Sequence, residues 1–318
     1  MTAMRDLPDE NLFVMGHTAC PGCGVAISIR NALRILGKNT VVYVPASCGV
    51  VFSATYPHAA MKVPFLHTAF ENTGACISGL KAAYEKKGKN VNVVGFAGDG
   101  GTYDIGLQSV SGAAERNEDV IYICLDNEAY MNTGIQRSGS TPFGAWTTTT
   151  PVGKLTRGKR EFKKDLPEIM AAHDIPYLAT LSVAHPADFI RKVEKAKTIS
   201  GFRFLHMLTP CVPGWKIDQA KSIEILKLAV DTGMWTLYEF EYGERKVTYR
   251  PGKMRFVKDY LMMQGRFRHM SDEDIKRMQG WVCRKWGQHY GEKGSPEVCP
   301  VELPAEHHAI TEDHRGMH

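Results

Sequence analysis

Two short stretches of this 318-residue chain carry residue types that can do chemistry. The first is Cys20-Pro21-Gly22-Cys23, two thiols across a Pro-Gly turn, set directly before an apolar run over 25–36. Paired thiols at this spacing serve as metal ligands or as a redox couple. The second is Gly98-Asp99-Gly100-Gly101, with Asn127 twenty-six intervening residues after Gly100. Asp99 and Asn127 both offer oxygen, the donor a hard divalent cation takes. Gly98, Gly100 and Gly101 let a ligand approach the backbone and leave amide N–H groups free. A helix beginning near Asp104 would aim its positive end at a phosphate. Together these residues describe a diphosphate held through Mg²⁺. A lone Gly-Asp-Gly is an ordinary βα turn; its pairing with Asn127 makes the signal specific.

The elements that must position these residues can be read from periodicity. Helical spacing predicts helices over 25–36, 71–88, 104–117, 165–175 and 186–199. Short β-branched or apolar runs predict strands over 39–45, 90–98, 119–127, 177–183 and 203–208. Strands without polar alternation, separated by helices, predict an α/β fold: a mainly parallel sheet covered by helices on both faces. In such a sheet ligands bind beyond the C-terminal ends of the strands. Asp99 and Asn127 each follow a strand and so project from one edge. The Ser-, Thr- and Gly-rich run over 131–154 has little periodicity, and a loop of that length is usually functional or disordered. The division expected is a cofactor-binding domain over 1–215 and a C-terminal extension over 216–318. The extension should hold a helix near 216–231, a β pair near 237–249, a helix near 272–289 and a polar, His-rich tail.

Composition excludes several classes. No stretch reaches the roughly 20 apolar residues of a membrane span. The first sixteen residues lack the basic and apolar regions of a secretory signal, so a cytoplasmic setting is expected. There, eight cysteines are read as metal ligands or buried thiols rather than disulfides. The net charge of +5 comes largely from two basic stretches, 154–164 and 245–258. These read as solvated loops and an edge strand, or else as a dock for an acidic partner. No nucleic-acid motif is present.

The chain resembles a known family at this point. Gly-Asp-Gly-x26-Asn looks like the thiamin-diphosphate signature. The stretch FAGDGGTYDIGLQSVSGAAERNEDVIYICLDNEAYMNTGIQRSGSTPFGA (96–145) is similar to the β subunit of pyruvate:ferredoxin oxidoreductase (pyruvate synthase), of the 2-oxoacid:ferredoxin oxidoreductases. The resemblance runs from about residue 14 to 280. It implies a thiamin-diphosphate-binding fold of the pyrophosphate-binding type. It also implies a [4Fe–4S] cluster on Cys20, Cys23, Cys48 and Cys211. Spacing alone leaves a structural zinc site equally open.

For the cofactor, the resemblance assigns Mg²⁺ to Asp99, Asn127 and the backbone carbonyl of Ala129, and the diphosphate to Gly98, Gly100 and Gly101. Asn132 would face the thiazolium and substrate as the catalytic candidate. Cys48 and Gly49 would lie beside the ring, with Thr133 and Gln136 nearer the diphosphate. Glu71 and Asn72 match a segment at a subunit interface. The implied reaction is oxidative decarboxylation of a 2-oxoacid, with electrons passing singly to the cluster and on to ferredoxin, and coenzyme A taking the acyl group from pyruvate. The glutamate that activates thiamin is expected on a pyrimidine-domain α subunit, and further clusters on a ferredoxin-type subunit. Three features depart from the family pattern: Gly49 after Cys48, Trp146 where a small residue is common, and the chain beyond about 286. They leave oxalate, aryl- and branched-chain 2-oxoacids open as substrates. A non-redox thiamin enzyme and a zinc-stapled binding subunit are alternatives of another class.

Overall fold

In the computed structural model, which describes residues 5, 7–54, 56–57, 59–154, 156–291 and 298–299, six strands run parallel. They are β1 (Thr40–Pro45), β2 (Phe65–Thr68), β3 (Asn92–Gly98), β4 (Ile121–Asp126), β5 (Tyr177–Leu181) and β6 (Arg203–Leu208). β7 (Leu237–Glu241) pairs antiparallel with β5 and turns back as β8 (Glu244–Tyr249). All eight form one sheet in the order β2-β1-β3-β4-β6-β5-β7-β8.

Strands β1, β4, β5 and β6 are buried along their whole length. Both faces are covered, which is why they read as apolar runs without alternation. On one face, α1 (Gly24–Leu36), α2 (Cys48–Ser53) and α6 (Pro186–Thr198) pack on Val42, Val94, Ile123 and Leu205. On the other, α3 (Thr73–Lys86), α4 (Leu107–Glu115) and α5 (Leu166–Ala171) pack on Tyr43, Val93, Tyr122 and Phe204. Successive strand residues thus serve opposite cores, as the two-residue strand period requires.

A third core joins α7 (Val212–Trp215), α8 (Ser222–Asp231), α9 (Val257–Met262) and α10 (Asp272–Tyr290) around Trp215, Tyr260 and Trp281. The start of α10 is fixed by a capping box between Ser271 and Asp274, and its end by Gly291 at φ 68°.

The β pair expected near 237–249 is present and joins the main sheet at its β5 edge. Several expectations need correction. Not all cysteines are ligands or thiols: Cys283 and Cys299 form a disulfide between α10 and the segment beyond it. The first basic stretch is solvated only in part: Lys154, Arg157, Arg160 and Lys164 are exposed, while Lys159 and Lys163 are drawn inward by buried carbonyls and carboxylates described below. The helix expected from Asp104 begins three residues later, as α4 at Leu107, behind a π-turn over Gly100–Asp104. β2, α2 and α9 were not anticipated. The His-rich tail over 300–318 lies outside the described residues.

Candidate cofactor and thiol site

Strands β1, β3, β4 and β6 are neighbours, and their registers bring their C-terminal ends level: Gly98 pairs with Leu125, and Asp126 with Leu208. Cys48 follows β1, Asp99 follows β3, Asn127 follows β4 and Cys211 follows β6. Four chemistry-bearing residues therefore leave one sheet edge side by side, where an α/β sheet holds its ligand.

A cavity of about 110 Å³ opens at the ends of β3 and β4 and is lined by Gly98, Asp99, Gly100, Gly101, Asn127, Ala129, Asn132 and Thr133, among others. With its amide oxygen turned inward, Asn127 faces Asp99 Oδ1 and the Ala129 carbonyl, so three acceptors converge with no donor between them. A cation among them resolves the conflict. Without one, the amide must turn over and donate to those atoms at 3.0 and 2.7 Å. The donor set, one carboxylate and two neutral oxygens, fits Mg²⁺. Glu128 reaches φ 67°, and this left-handed residue turns the chain between Asn127 and Ala129. The π-turn after Asp99 widens the backbone at the cavity wall, a device frequent at functional sites. Gly100 must be glycine because a Cβ there would lie 2.5 Å from the Tyr130 ring.

The Asp99 carboxyl is held well above its ordinary range, first by burial and then by the neighbouring Asp126 charge. A divalent cation would relieve both effects. Asn132 lines the cavity at its exposed end. Thr133 Oγ1 donates to Gln136 Oε1 at 2.6 Å and Gln136 Nε2 to the Thr133 carbonyl at 2.9 Å, so the pair serve each other and Gln136 does not line the cavity. Gly49 is buried one residue behind Cys48, where a Cβ would press on Val44. Asn72 accepts from Tyr43 and Thr68, bonds internal to this chain.

The four cysteines line a second cavity of about 120 Å³, with Asn127 and Asn132 again in its wall. Cys48, Asn127 and Asn132 thus border both spaces. Burial raises the Cys48 thiol to about 12, helped by Cys211, Cys23 and Cys20, and raises Cys211 to about 11 and Cys23 in the same direction. Thiols that repel each other's charge need a metal centre to hold them as thiolates. Among the described residues, no three Cys, His, Asp or Glu side chains close on one point that could hold a single ion. Four thiols round one cavity are a ligand set that either a tetrahedral zinc or the four irons of a cubane can take. Cys124 lies in the core of β4, and Cys76 is half-buried on α3 near Thr68. The loop bearing Cys20 and Cys23 is seated by close contacts. Gly24 N donates to Pro210 O at 3.1 Å, and Ser222 Oγ to Gly22 O at 2.8 Å.

A buried ionic network beneath the cavity was missed. Asp126 accepts from Ser140, Tyr103 and His206, and Lys163 lies 3.8 Å away. Burial would raise this carboxyl, but Lys163 and His206 override it and hold it at about 2. Glu128 pairs with Lys163 at 3.3 Å and with Arg266 at 2.5 Å. Arg266 also stacks on Trp215, whose indole N–H donates to Asn127 O at 2.8 Å. Acids flanking Asn127, with lysines 35 residues on, were the available signal, but no spacing rule ties them together.

The fold and site define a thiamin-diphosphate-binding chain. Residues 46–207 match the family described as thiamine pyrophosphate enzyme, C-terminal TPP binding domain. The chain is 52% identical over 277 residues to pyruvate synthase subunit PorB of Methanothermobacter thermautotrophicus, covering 87% of this chain and 96% of that one. It is 48% identical over 288 residues to ketoisovalerate oxidoreductase subunit VorB of Pyrococcus furiosus, covering 88% and 93%. A chain of 2-oxoglutarate:ferredoxin oxidoreductase from Magnetococcus marinus shares the fold at 20% identity, with a TM-score of 0.55 over 71% of this chain and 80% of that one. This chain belongs to the β-subunit family of the 2-oxoacid:ferredoxin oxidoreductases, to which pyruvate synthase belongs. Among the described residues, no helix is long and apolar enough to cross a membrane.

Proposed function

We propose that this chain is the subunit that binds thiamin diphosphate and a [4Fe–4S] cluster in a complex that oxidatively decarboxylates pyruvate and reduces ferredoxin. The observation that carries the reading is the shared wall: Cys48, Asn127 and Asn132 border both the diphosphate cavity and the thiol cavity. Bound thiamin diphosphate would supply the carbon nucleophile for the keto group, and the cluster would accept the electrons one at a time.

In this reading Asp99, Asn127 and the Ala129 carbonyl hold Mg²⁺ on the diphosphate. Gly98, Gly100 and Gly101 leave room for the diphosphate oxygens. Cys20, Cys23, Cys48 and Cys211 hold the cluster. Asn132 sits at the open end of the shared wall and orients the substrate carboxylate or keto oxygen through its amide. The activating glutamate, the rest of the pocket and the onward clusters belong to partner subunits, and coenzyme A takes the acyl group.

The near-equal identity to pyruvate and ketoisovalerate subunits supports a branched-chain 2-oxoacid as the second reading. The test is an anaerobic assay of the purified complex with pyruvate, ketoisovalerate and oxalate, following viologen reduction in the presence of coenzyme A. Pyruvate should give the highest kcat/KM. A higher value with another acid would reassign the substrate, and reduction with none would refute the reading.

A further inference from the structure

The turn 138–141 spans the two strand ends that carry the cation ligands. Ser138 Oγ donates to Asp99 Oδ2 at 2.5 Å, and both side chains are buried. Two residues on, Ser140 Oγ reaches both oxygens of Asp126 at 2.5 and 2.6 Å. One short turn therefore grips the carboxylates at the ends of β3 and β4, of which Asp99 belongs to the proposed cation set and Asp126 directly precedes Asn127. The turn is itself held from several sides. Thr141 Oγ1 accepts from Ser138 N and donates to the Glu128 carbonyl at 2.9 and 2.7 Å. Gly139 N donates to Asp104 Oδ2 at 2.9 Å, and a Cβ on Gly139 would meet Asp104 Oδ1 at 2.7 Å. From below, the buried Lys159 ammonium donates to the Thr141 carbonyl at 2.5 Å and the Ser138 carbonyl at 3.4 Å. These bonds go to carbonyls, so the buried lysine secures the backbone of the turn.

We infer that Ser138 is a positioning residue for Asp99. Its hydroxyl ties back one carboxylate oxygen so that Oδ1 is presented to Asn127 and the cation. This rests on the reading of Asp99, Asn127 and Ala129 as the Mg²⁺ set. A carboxylate free to rotate would offer the wrong oxygen part of the time, and partners that orient metal ligands are worth about 10- to 100-fold in affinity.

The test uses the full chain with its co-purifying subunits, stripped of thiamin diphosphate and Mg²⁺ without air. Mg²⁺ is titrated at fixed thiamin diphosphate, following quenching of tryptophan fluorescence. Ser138→Ala should raise the half-saturating Mg²⁺ concentration about 10- to 100-fold. Ser138→Cys, similar in shape but a weak donor, should fall between Ala and the parent, and it serves if the Ala variant does not fold. Ser140→Ala disturbs the same turn through Asp126 and should shift the curve much less. Equal shifts from Ser138→Ala and Ser140→Ala would mean the turn is only structural and would overturn the inference. An unchanged Ser138 titration beside a weakened Asp99→Ala would overturn it while sparing the metal assignment. Unchanged titrations in both would overturn the two together.

Discussion

At the residue scale, the account turns on which side chains touch cofactor and which only pack. Asp99→Asn keeps the shape and removes the only charge from the three-oxygen set. Its complex should need at least about 10-fold more Mg²⁺ to bind thiamin diphosphate, as should Asn127→Ala; calorimetric titration checks both. Cys48→Ala should lose or degrade the cluster, whereas Cys124→Ala should keep its iron content at some cost in stability, since Cys124 is core. Iron and sulfide analysis of anaerobically purified variants decides this. The residues proposed as ligands were legible chiefly through the family resemblance, with Asp99, Asn127 and the Cys20–Cys23 pair also standing out by spacing. The charges that brace them were not. Lys163 and Arg266 lie 35 and 138 residues from Glu128, and no local pattern distinguishes a buried lysine from a solvated one. The Cys283–Cys299 pairing was equally hidden, since no spacing rule distinguishes two cysteines sixteen residues apart that pair from two that do not.

At the element scale, strands without alternation gave the mainly parallel sheet correctly, and level strand ends bring the candidate site residues to one edge. Short pieces escaped. α2 has six residues and β2 has four, too few for a period to emerge. The sharpest test at this scale is Gly24, the first residue of α1. A Cβ there would lie 2.4 Å from Pro210 Cδ and 2.6 Å from its backbone nitrogen. Gly24→Ala must push α1 from the loop that carries Cys211. Overpacking of this kind costs about 1–3 kcal/mol, so the melting temperature should fall. Iron occupancy should fall with it, because Cys23 and Cys211 are forced apart. A stable variant with full iron would show that the two loops adjust independently.

At the scale of the whole molecule, the C-terminal third completes the structure. It extends the sheet through β7 and β8, and its α8 end supports the loop of Cys20 and Cys23 through Ser222. This part carries an acid-sensitive group. His289 stacks on Tyr238 at 4.6 Å, and burial, with Arg245 and Lys285 nearby, lowers it to about 4 from an ordinary 6.5. Between those values the unfolded chain binds a proton that the folded chain refuses. Stability should therefore rise with pH across 4–6.5 and level off above. His185, His206 and His269 are lowered too and act in the same direction. Urea unfolding across this range should show the slope, and His289→Phe should flatten part of it.

The division of labour among subunits also belongs to this scale, and so does the central claim that cofactor and cluster share one site. The most direct measurement is low-temperature electron paramagnetic resonance of the anaerobic complex, frozen after mixing with pyruvate and coenzyme A, with and without thiamin diphosphate. The account predicts a reduced [4Fe–4S] signal only when thiamin diphosphate is present, and its loss in Cys48→Ala. A cluster signal that ignores thiamin diphosphate, or a complex with no iron at the four cysteines, would contradict it.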